Sequence, residues 1–451
     1  MSKDTSLTKK KSGGKLPLGG LLAIIVLLAL CAGAFMIFRD TTPPVVSIGP
    51  DTDQLGKGST LSVKVDDPGS GLKSLEIYAV QGDKRIPLAA KTYPGGILQV
   101  QEDIPLDSGT MQEGQFTIEV TARDASLYPF GQAGTSKARK TYSLDLTPPR
   151  IYVESPVNNL NQGGAGLMIY ALSEEAAKTG IQVGERFFPA YLQPGNAGKF
   201  LYYCLFAHPW DVPVKDFQPF IVASDAAGNS AKRSFNYHTN PRAFRQDKIN
   251  LSDSFMEQTI PEFQGLIPAK QGSLLDQYLY INNTIRKENR ARLVEFSRQT
   301  SPTMLWSGTF VRLPNAANRA RFADARDYMY QGKKVDHQTH LGLDLASIQH
   351  APVPAGNDGR VVFADFLGIY GNVVVLDHGL GLQSLYAHLS SIAVQTGDMV
   401  QKGQIIAHTG ATGLAGGDHL HYGITVGGVP TQPIEWWDGT WIKHNITSKI
   451  Q

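Results

Sequence analysis

Five residues near the C-terminal end have the types and order that hydrolysis at a metal would use: His340 and Asp344, then His388, then His419 and His421. Two imidazoles and a carboxylate suit a catalytic zinc ion, and two further histidines suit proton handling, so the chemistry indicated is that of a metallohydrolase. His419-Leu420-His421 leads into Tyr422-Gly423-Ile424-Thr425-Val426, a strand-like run, and residues two apart in an extended chain project to one face. Both imidazoles can then reach one site. His340 and Asp344 are separated by three residues, Gly342 among them, and Gly332 lies upstream, which favours an extended or turn conformation over a helix. Their convergence with the other three must come from the tertiary fold.

The elements around these residues read as short strands. Val361-Val362-Phe363, Val373-Val374-Val375-Leu376 and Tyr422 to Val426 are rich in β-branched residues, and Gly371-Asn372, His378-Gly379 and Gly427-Gly428 mark turns between runs. Neither His-x-x-x-Asp nor a lone His388 is specific by itself. The surrounding segments are specific in combination: Tyr386-Ala387-His388-Leu389-Ser390, Gly397-Asp398-Met399-Val400-Gln401-Lys402-Gly403-Gln404, Thr412-Gly413, and Gly417-Asp418-His419-Leu420-His421-Tyr422. Together with the stretches Gly371 to Gly379 and Gly427 to Pro433, they resemble, in order and spacing, the lysostaphin/LytM-type M23 zinc metallopeptidases over residues 302–441.

Members of that family cut peptide bonds in peptidoglycan. The resemblance implies that His340, Asp344 and His421 bind Zn2+ with water in the fourth place. It also implies that His388 and His419 assist proton transfer and steady the developing oxyanion, with no serine or cysteine nucleophile. Which of the two takes which step stays open. His337, His350, His378, His408 and His444 fall outside the ligand positions. Two departures stand out: Phe322-Ala323-Asp324-Ala325-Arg326 where many members have Phe-Gly followed by arginine, and Gly417-Asp418 where many have Gly-Pro. Neither removes a ligand, and both bear on groove wall and local charge.

At 451 residues the chain accommodates about three domains. Lys plus Arg number 42 against 40 Asp plus Glu, so no strong basic field points to nucleic acid. Gly19 to Phe38 is a charge-free run of about the 20 residues that span a bilayer, and Lys9, Lys10, Lys11 and Lys15 precede it. The positive-inside rule then places a single-pass anchor in the bacterial inner membrane, with everything after Arg39 in the periplasm or otherwise outside the membrane. Ala32-Gly33-Ala34 resembles a signal-peptidase site, but the apolar run continues to Phe38, which favours an uncleaved anchor. Cys31 lies within this run and Cys204 is the other cysteine, so no disulfide forms within the exported part.

Thr42-Pro43-Pro44 recurs as Thr147-Pro148-Pro149, and the aspartates of Asp124-Ala125-Ser126 and Asp225-Ala226-Ala227-Gly228-Asn229 are 101 apart. A period near 100 residues, with Phe116, Ile118, Val120 and Ala122 alternating with polar neighbours, predicts tandem β-sandwiches. The motifs resemble bacterial immunoglobulin-like modules. The expected order is a cytoplasmic tail and transmembrane helix (1–40), two Ig-like β-sandwich modules (41–147 and 148–242), a helical linker (243–301), a LytM-type antiparallel β domain (302–441) and a tail (442–451), a mainly β fold. In the linker, Leu274, Tyr278, Ile281 and Ile285 fall at helical spacing, Ser273 to Asp276 fits a capping signature, and Arg286, Lys287, Arg290, Arg292 and Arg298 read as a solvated basic face. A basic, apolar helix directly upstream of the enzyme also suggests a cover for its groove.

The function expected is a membrane-anchored zinc endopeptidase acting on cross-links or stem peptides of peptidoglycan, with a cell-envelope protein as a further partner. The alternatives are a non-catalytic cell-wall scaffold or amidase activator on the same fold, and an adhesion protein dominated by its modules. Occupancy of all five site positions favours the enzyme.

Overall fold

The computed structural model describes residues 18–106, 109–126, 134–155, 157–194, 199–268 and 272–450. Leu18–Arg39 is a helix, and apolar side chains such as Leu22, Leu27 and Leu28 are more than half exposed along it. Among the described residues no helix is long and apolar enough to cross a membrane. The expected anchor therefore gains no support from the fold.

The chain divides into two compact units, residues 1–147 with 226–229, and residues 148–225 with 230–451. In the first, a three-stranded sheet (Val45–Gly49, Thr60–Asp66, Gln99–Pro105) faces a five-stranded one containing Leu72–Gln81 and Gly114–Asp124. The period-two pattern explains why: Leu61, Val63 and Val65 from one sheet and Leu75, Ile77, Phe116, Ile118 and Val120 from the other meet in one buried core. Each such side chain contributes about 1.5–3 kcal/mol on leaving water. This core is closed within its own unit.

The second unit begins with two four-stranded sheets, one built around Ala165–Leu172 and Phe200–Ala207 and the other around Lys178–Val183 and Pro219–Ser224. All eight residues of Ala165–Leu172 are buried, whereas a strand of an isolated two-layer sandwich would bury only one face. The reason is a shared core. Phe188, Leu205 and Phe206 belong to the same apolar cluster as Trp306, Phe310, Val426 and Trp436 of the segment that carries the histidines. Cys204 is buried in that cluster, and burial pushes its thiol well above the usual range.

Glu435 lies in the same body. Its Oε1 accepts from Asn161 Nδ2 at 3.0 Å and its Oε2 from the Ala165 N–H at 3.1 Å, and burial, only partly offset by those bonds, pushes its carboxyl up to about 7. A carboxyl whose pKa is raised in the folded state binds its proton there over a range where the unfolded chain has lost it. The stability this gives is complete below the unfolded value of 4.5 and is lost as pH rises through about 7. We expect the unfolding transition of this unit to weaken by about 3 kcal/mol over that window, and Glu435→Gln to flatten the trend. Melting temperature against pH for both proteins checks it.

Beyond residue 242 the fold departs from expectation. Residues 243–301 are not a linker, because Gln246–Asn250 pairs in parallel with Asp324–Tyr330 and so joins the sheet that leads to His340. The helices Asp253–Thr259, Leu274–Tyr280 and Arg286–Phe296 follow, the second opened by the capping box of Ser273 and Asp276. Met256, Phe263, Tyr278, Ile281 and Ile285 pack on Val362, Ile369, Val373, Val375 and Leu385, forming one core with the strands. The basic face is only partly solvated: Arg290 donates to the Thr339 carbonyl at 2.8 Å, whereas Arg292 pairs with Glu295 at the surface. The last residues are not a loose tail either, since Ile442 and Ile446 join the main core and Lys449 donates to Asn158 Oδ1 and the Leu167 carbonyl.

The remaining strands form a ten-stranded antiparallel sheet running from Ala317–Ala320 through Leu343–Ala346, Leu420–Val426, Leu382–Ile392, Asn372–Asp377 and Gly359–Phe366 to Met399–Val400, with Pro352–Pro354, Ile405–Thr409 and Val429–Thr431 off this path. The predicted strands and turns lie where the residue pattern places them, and Gly371, Gly379, Gly427 and Gly428 all take positive φ.

Candidate active site

Neighbouring strands place the site. Asp344 of Leu343–Ala346 stands directly across from His421 of Leu420–Val426, and His421 in turn faces Ala387 on the strand that carries His388. His419, two residues before His421, bridges to Gly410. His340 ends the strand Lys333–His340 and reaches the group through the tight passage at Gly342, where a Cβ would come within 2.6 Å of the His421 ring. Glycine at 342 is thus required by the approach of an imidazole.

The three expected ligands converge. His340 Nε2 lies 2.9 Å from Asp344 Oδ1 and 2.9 Å from His421 Nδ1, which is 3.0 Å from the same Asp344 oxygen. His340 Nδ1–H donates to the Arg321 carbonyl at 2.9 Å, which leaves the Nε2 lone pair free for a metal ion. Three lone-pair-bearing atoms aimed at one another repel unless a proton or cation lies among them. A tetrahedral zinc with bonds of about 2.0 Å holds its ligands about 3.3 Å apart, so this donor set and spacing fit the ion. His421 Nε2 is buried without a hydrogen-bond partner, and burial lowers that ring's pKa to about 4, so the imidazole is held neutral as a ligand must be.

Asp344 is also nearly buried. Burial pushes its carboxyl up, but the neighbouring imidazoles of His340, His419 and His421 outweigh it and hold the group well below the usual range. Its other oxygen accepts from Arg326 at 3.1 Å. Arg326 therefore orients the carboxylate, a role the residue pattern around it did not disclose. The departure upstream of it is also explained: Ala323 takes φ 60°, the left-handed region that favours glycine, while its N–H donates to the His340 carbonyl. An alanine pays for that conformation, and glycine would not, at the cost of a looser unfolded chain. Ala323→Gly is expected to be neutral to stabilising, by up to about 1 kcal/mol, in chemical denaturation.

The two auxiliary histidines flank the ligands. His388 Nδ1–H donates to the Thr412 carbonyl at 2.8 Å, and its ring centroid lies 4.8 Å from that of His419 and 5.9 Å from that of His421. The residue takes φ 62° on its strand, and such strain tends to gather at functional positions. Burial, reinforced by the charges of His419 and His421, holds His388 well below the ordinary histidine range. His419 Nδ1–H donates to the Gly417 carbonyl at 2.8 Å, and its Nε2 stands 3.6 Å from Asp344 Oδ1. Burial lowers its pKa, yet the Asp344 carboxylate prevails and raises it.

All five residues line one open cleft of about 390 Å³. Its other walls include Tyr370, Leu414, Arg326 and Tyr328, and from the upstream segment Asn250, Phe255, Tyr278 and Arg286. Tyr370 sits 5.8 Å from the His421 ring. Glu262 reaches further along, accepting from the Gly413 N–H at 2.6 Å. The upstream segment was expected as a detachable cover; it is a wall, sharing the core beneath. Asp418 turns away from the site, accepting from Thr409 Oγ1 and the His350 N–H. The remaining histidines stand apart: His378 is buried between the Asp358 carbonyl and Ser384, His337 pairs with Asp327, and His408 meets Ser391.

Residues 338–433 match the Peptidase family M23 model. Over 95 residues the chain is 41% identical to the DD-carboxypeptidase/endopeptidase Mpg of Neisseria meningitidis serogroup B, a stretch covering 21% of this chain and 22% of that protein. It is 40% identical over 96 residues to the peptidoglycan DD-endopeptidase ShyA of Vibrio cholerae, covering 21% and 22%. It is also 39% identical over 95 residues to the murein hydrolase activator EnvC of Escherichia coli, covering 21% and 23%. The chain thus spans about a fifth of the length of these curated relatives.

Proposed function

From a Peptidase family M23 domain over residues 338–433, we propose that this protein is a zinc-dependent endopeptidase that hydrolyses peptide cross-links or stem peptides of bacterial peptidoglycan. The observation that carries the proposal is the triangle of His340 Nε2, Asp344 Oδ1 and His421 Nδ1, 2.9–3.0 Å on each side and open to a cleft that two more histidines enter. Zinc held there would supply Lewis acidity and a water of lowered pKa.

The chain's own residues do the rest. His388, kept neutral by burial and fixed in the Nδ1–H form by Thr412, offers Nε2 as a proton acceptor and later returns the proton to the departing amine. His419 has spent Nδ1–H on Gly417, so it becomes a second donor towards an oxyanion only as an imidazolium, the form that Asp344 favours. Arg326 keeps the Asp344 carboxylate turned towards the site. Phe255, Tyr278 and Tyr370 give the cleft apolar walls against which a peptide stem can lie.

The names of Mpg and ShyA favour a DD-peptide bond as the target. We read the helix Leu18–Arg39 as a single-pass inner-membrane anchor, with the two sandwiches as immunoglobulin-like modules on the periplasmic side. The charge-free run from Gly19 to Phe38 behind four lysines supports that reading. Likeness to EnvC favours a second reading, an activator of an amidase that docks a cell-envelope protein. Digestion of defined cross-linked muropeptides by the full chain, followed by mass spectrometry, separates the two. Fragments cut within the peptide are expected; intact muropeptides, with stimulation of an added amidase, would establish the activator instead.

A further inference from the structure

Away from the cleft, the first unit gathers three carboxylates whose ligand oxygens all lie within 4.8 Å of one another: Asp40, Asp67 and Asp124. They come from separate places in the chain. Asp40 directly follows the helix Leu18–Arg39, Asp67 follows the strand Thr60–Asp66, and Asp124 closes the strand Gly114–Asp124. Acidic clusters are common on surfaces, but this one is sunk into the protein: Asp67 has no exposed area and Asp124 only 6%.

Hydrogen bonding leaves the cluster unfinished. Asp40 is satisfied, accepting from Thr42 N and Oγ1 on one oxygen and from the Ser70 N–H on the other. Asp67 Oδ1 accepts from the Gly69 N–H and Asp124 Oδ1 from the Ser126 N–H. The second oxygen of each, Asp67 Oδ2 and Asp124 Oδ2, is buried and has no hydrogen-bond partner. Two buried carboxylate oxygens turned towards a third carboxylate, with no cationic side chain among the three, is an arrangement that proteins avoid unless a counter-charge completes it. Burial first, and then the charges of their neighbours, push both carboxyls up, the sign of a site short of positive charge.

The surrounding backbone makes room for these oxygens. A Cβ on Gly69 would come within 2.2 Å of Asp40 Oδ2, and one on Gly134 within 1.7 Å of Asp124 Oδ1, so a side chain at either position would displace the carboxylate beside it. The tandem repeat carries three acids at similar places in the sequence, Asp145, Glu174 and Asp225, at offsets of 105, 107 and 101 residues (145 − 40, 174 − 67 and 225 − 124).

We propose that Asp40, Asp67 and Asp124 form a divalent-cation site, of the hard, all-oxygen kind that suits Ca2+, which ties the residue entering the first sandwich to the ends of two of its strands. Hard carboxylate oxygens with no nitrogen or sulfur donor disfavour zinc, and Ca2+ tolerates the irregular geometry of ligands drawn from three loops better than Mg2+, which demands a near-ideal octahedron. Bound there, the ion would make the first unit's stability depend on calcium, independently of the peptidase cleft.

The test uses the full chain freed of calcium with EGTA, with zinc content followed as a control, and titrated with CaCl2 by calorimetry and thermal unfolding. Wild-type protein is expected to bind with a dissociation constant between about 10⁻⁵ and 10⁻³ M, and to gain about 5 °C in the first unit's transition at saturating calcium. Asp67→Asn is expected to bind one Ca2+ fewer per chain and to lose that gain, while melting higher than the wild type without calcium because one repelling charge is gone. Asp40→Asn, at a less buried position, repeats the measurement should Asp67→Asn fail to fold. Wild-type protein that ignores calcium at 10 mM (about tenfold above the weakest expected constant), or a folded variant that binds as many ions as the wild type, overturns the proposal.

Discussion

His421→Ala is expected to abolish stoichiometric zinc binding and to lower kcat/KM for muropeptide hydrolysis by at least about 10⁴-fold, roughly 5 kcal/mol of transition-state stabilisation. The imidazole is one corner of a triangle whose other two corners, His340 Nε2 and Asp344 Oδ1, cannot by themselves hold the ion in a tetrahedral field. Its removal leaves the strand Leu420–Val426 paired on both sides, so the fold should persist. Metal analysis and circular dichroism of the purified variant separate loss of zinc from loss of structure. A variant that keeps both its zinc and its activity would remove the ligand assignment.

His388→Ala should behave differently. The ring is not at the triangle, so zinc content is expected to stay at that of the wild type while kcat falls by about 10²–10⁴-fold with little change in KM. The effect arises because Thr412 has fixed the tautomer and burial has kept the ring unprotonated, which leaves Nε2 free to take up a proton. His388→Gln, which can donate but not take up a proton, should not recover the rate. Equal loss of zinc and rate in His388→Ala would instead make the residue structural.

Much of this site is legible in the amino-acid sequence. His419 and His421 share a face because the chain there is extended, and that follows from the β-branched run after them. His340 and Asp344 were readable only through the family resemblance, since nothing local shows that a glycine between them lets an imidazole from another strand approach. Arg326, Tyr370 and Tyr278 were not legible as site residues. Each reaches the cleft from a different element, and the distances along the chain carry no signal of that meeting. The alternating pattern of Phe116 to Ala122 gave the inward face of its strand correctly, because one face of a sheet against one core is a local rule. The same rule could not reveal that residues 243–301 share a core with the strands that carry the candidate site. Helical spacing tells which face of Leu274–Tyr280 is apolar but not what covers it, and the covering strands lie about 90 residues further on.

The two halves of the tandem repeat have parted company in one respect. The first keeps its apolar interior to itself, so recombination could trade it for another module as a bead on a string. The second has been welded to the hydrolytic fold through Phe188, Phe206, Trp306 and Trp436, and any exchange there would strip both partners of their lining. Of the two sandwiches, one is therefore free to be exchanged, and the other must be carried along with the domain whose lining it shares.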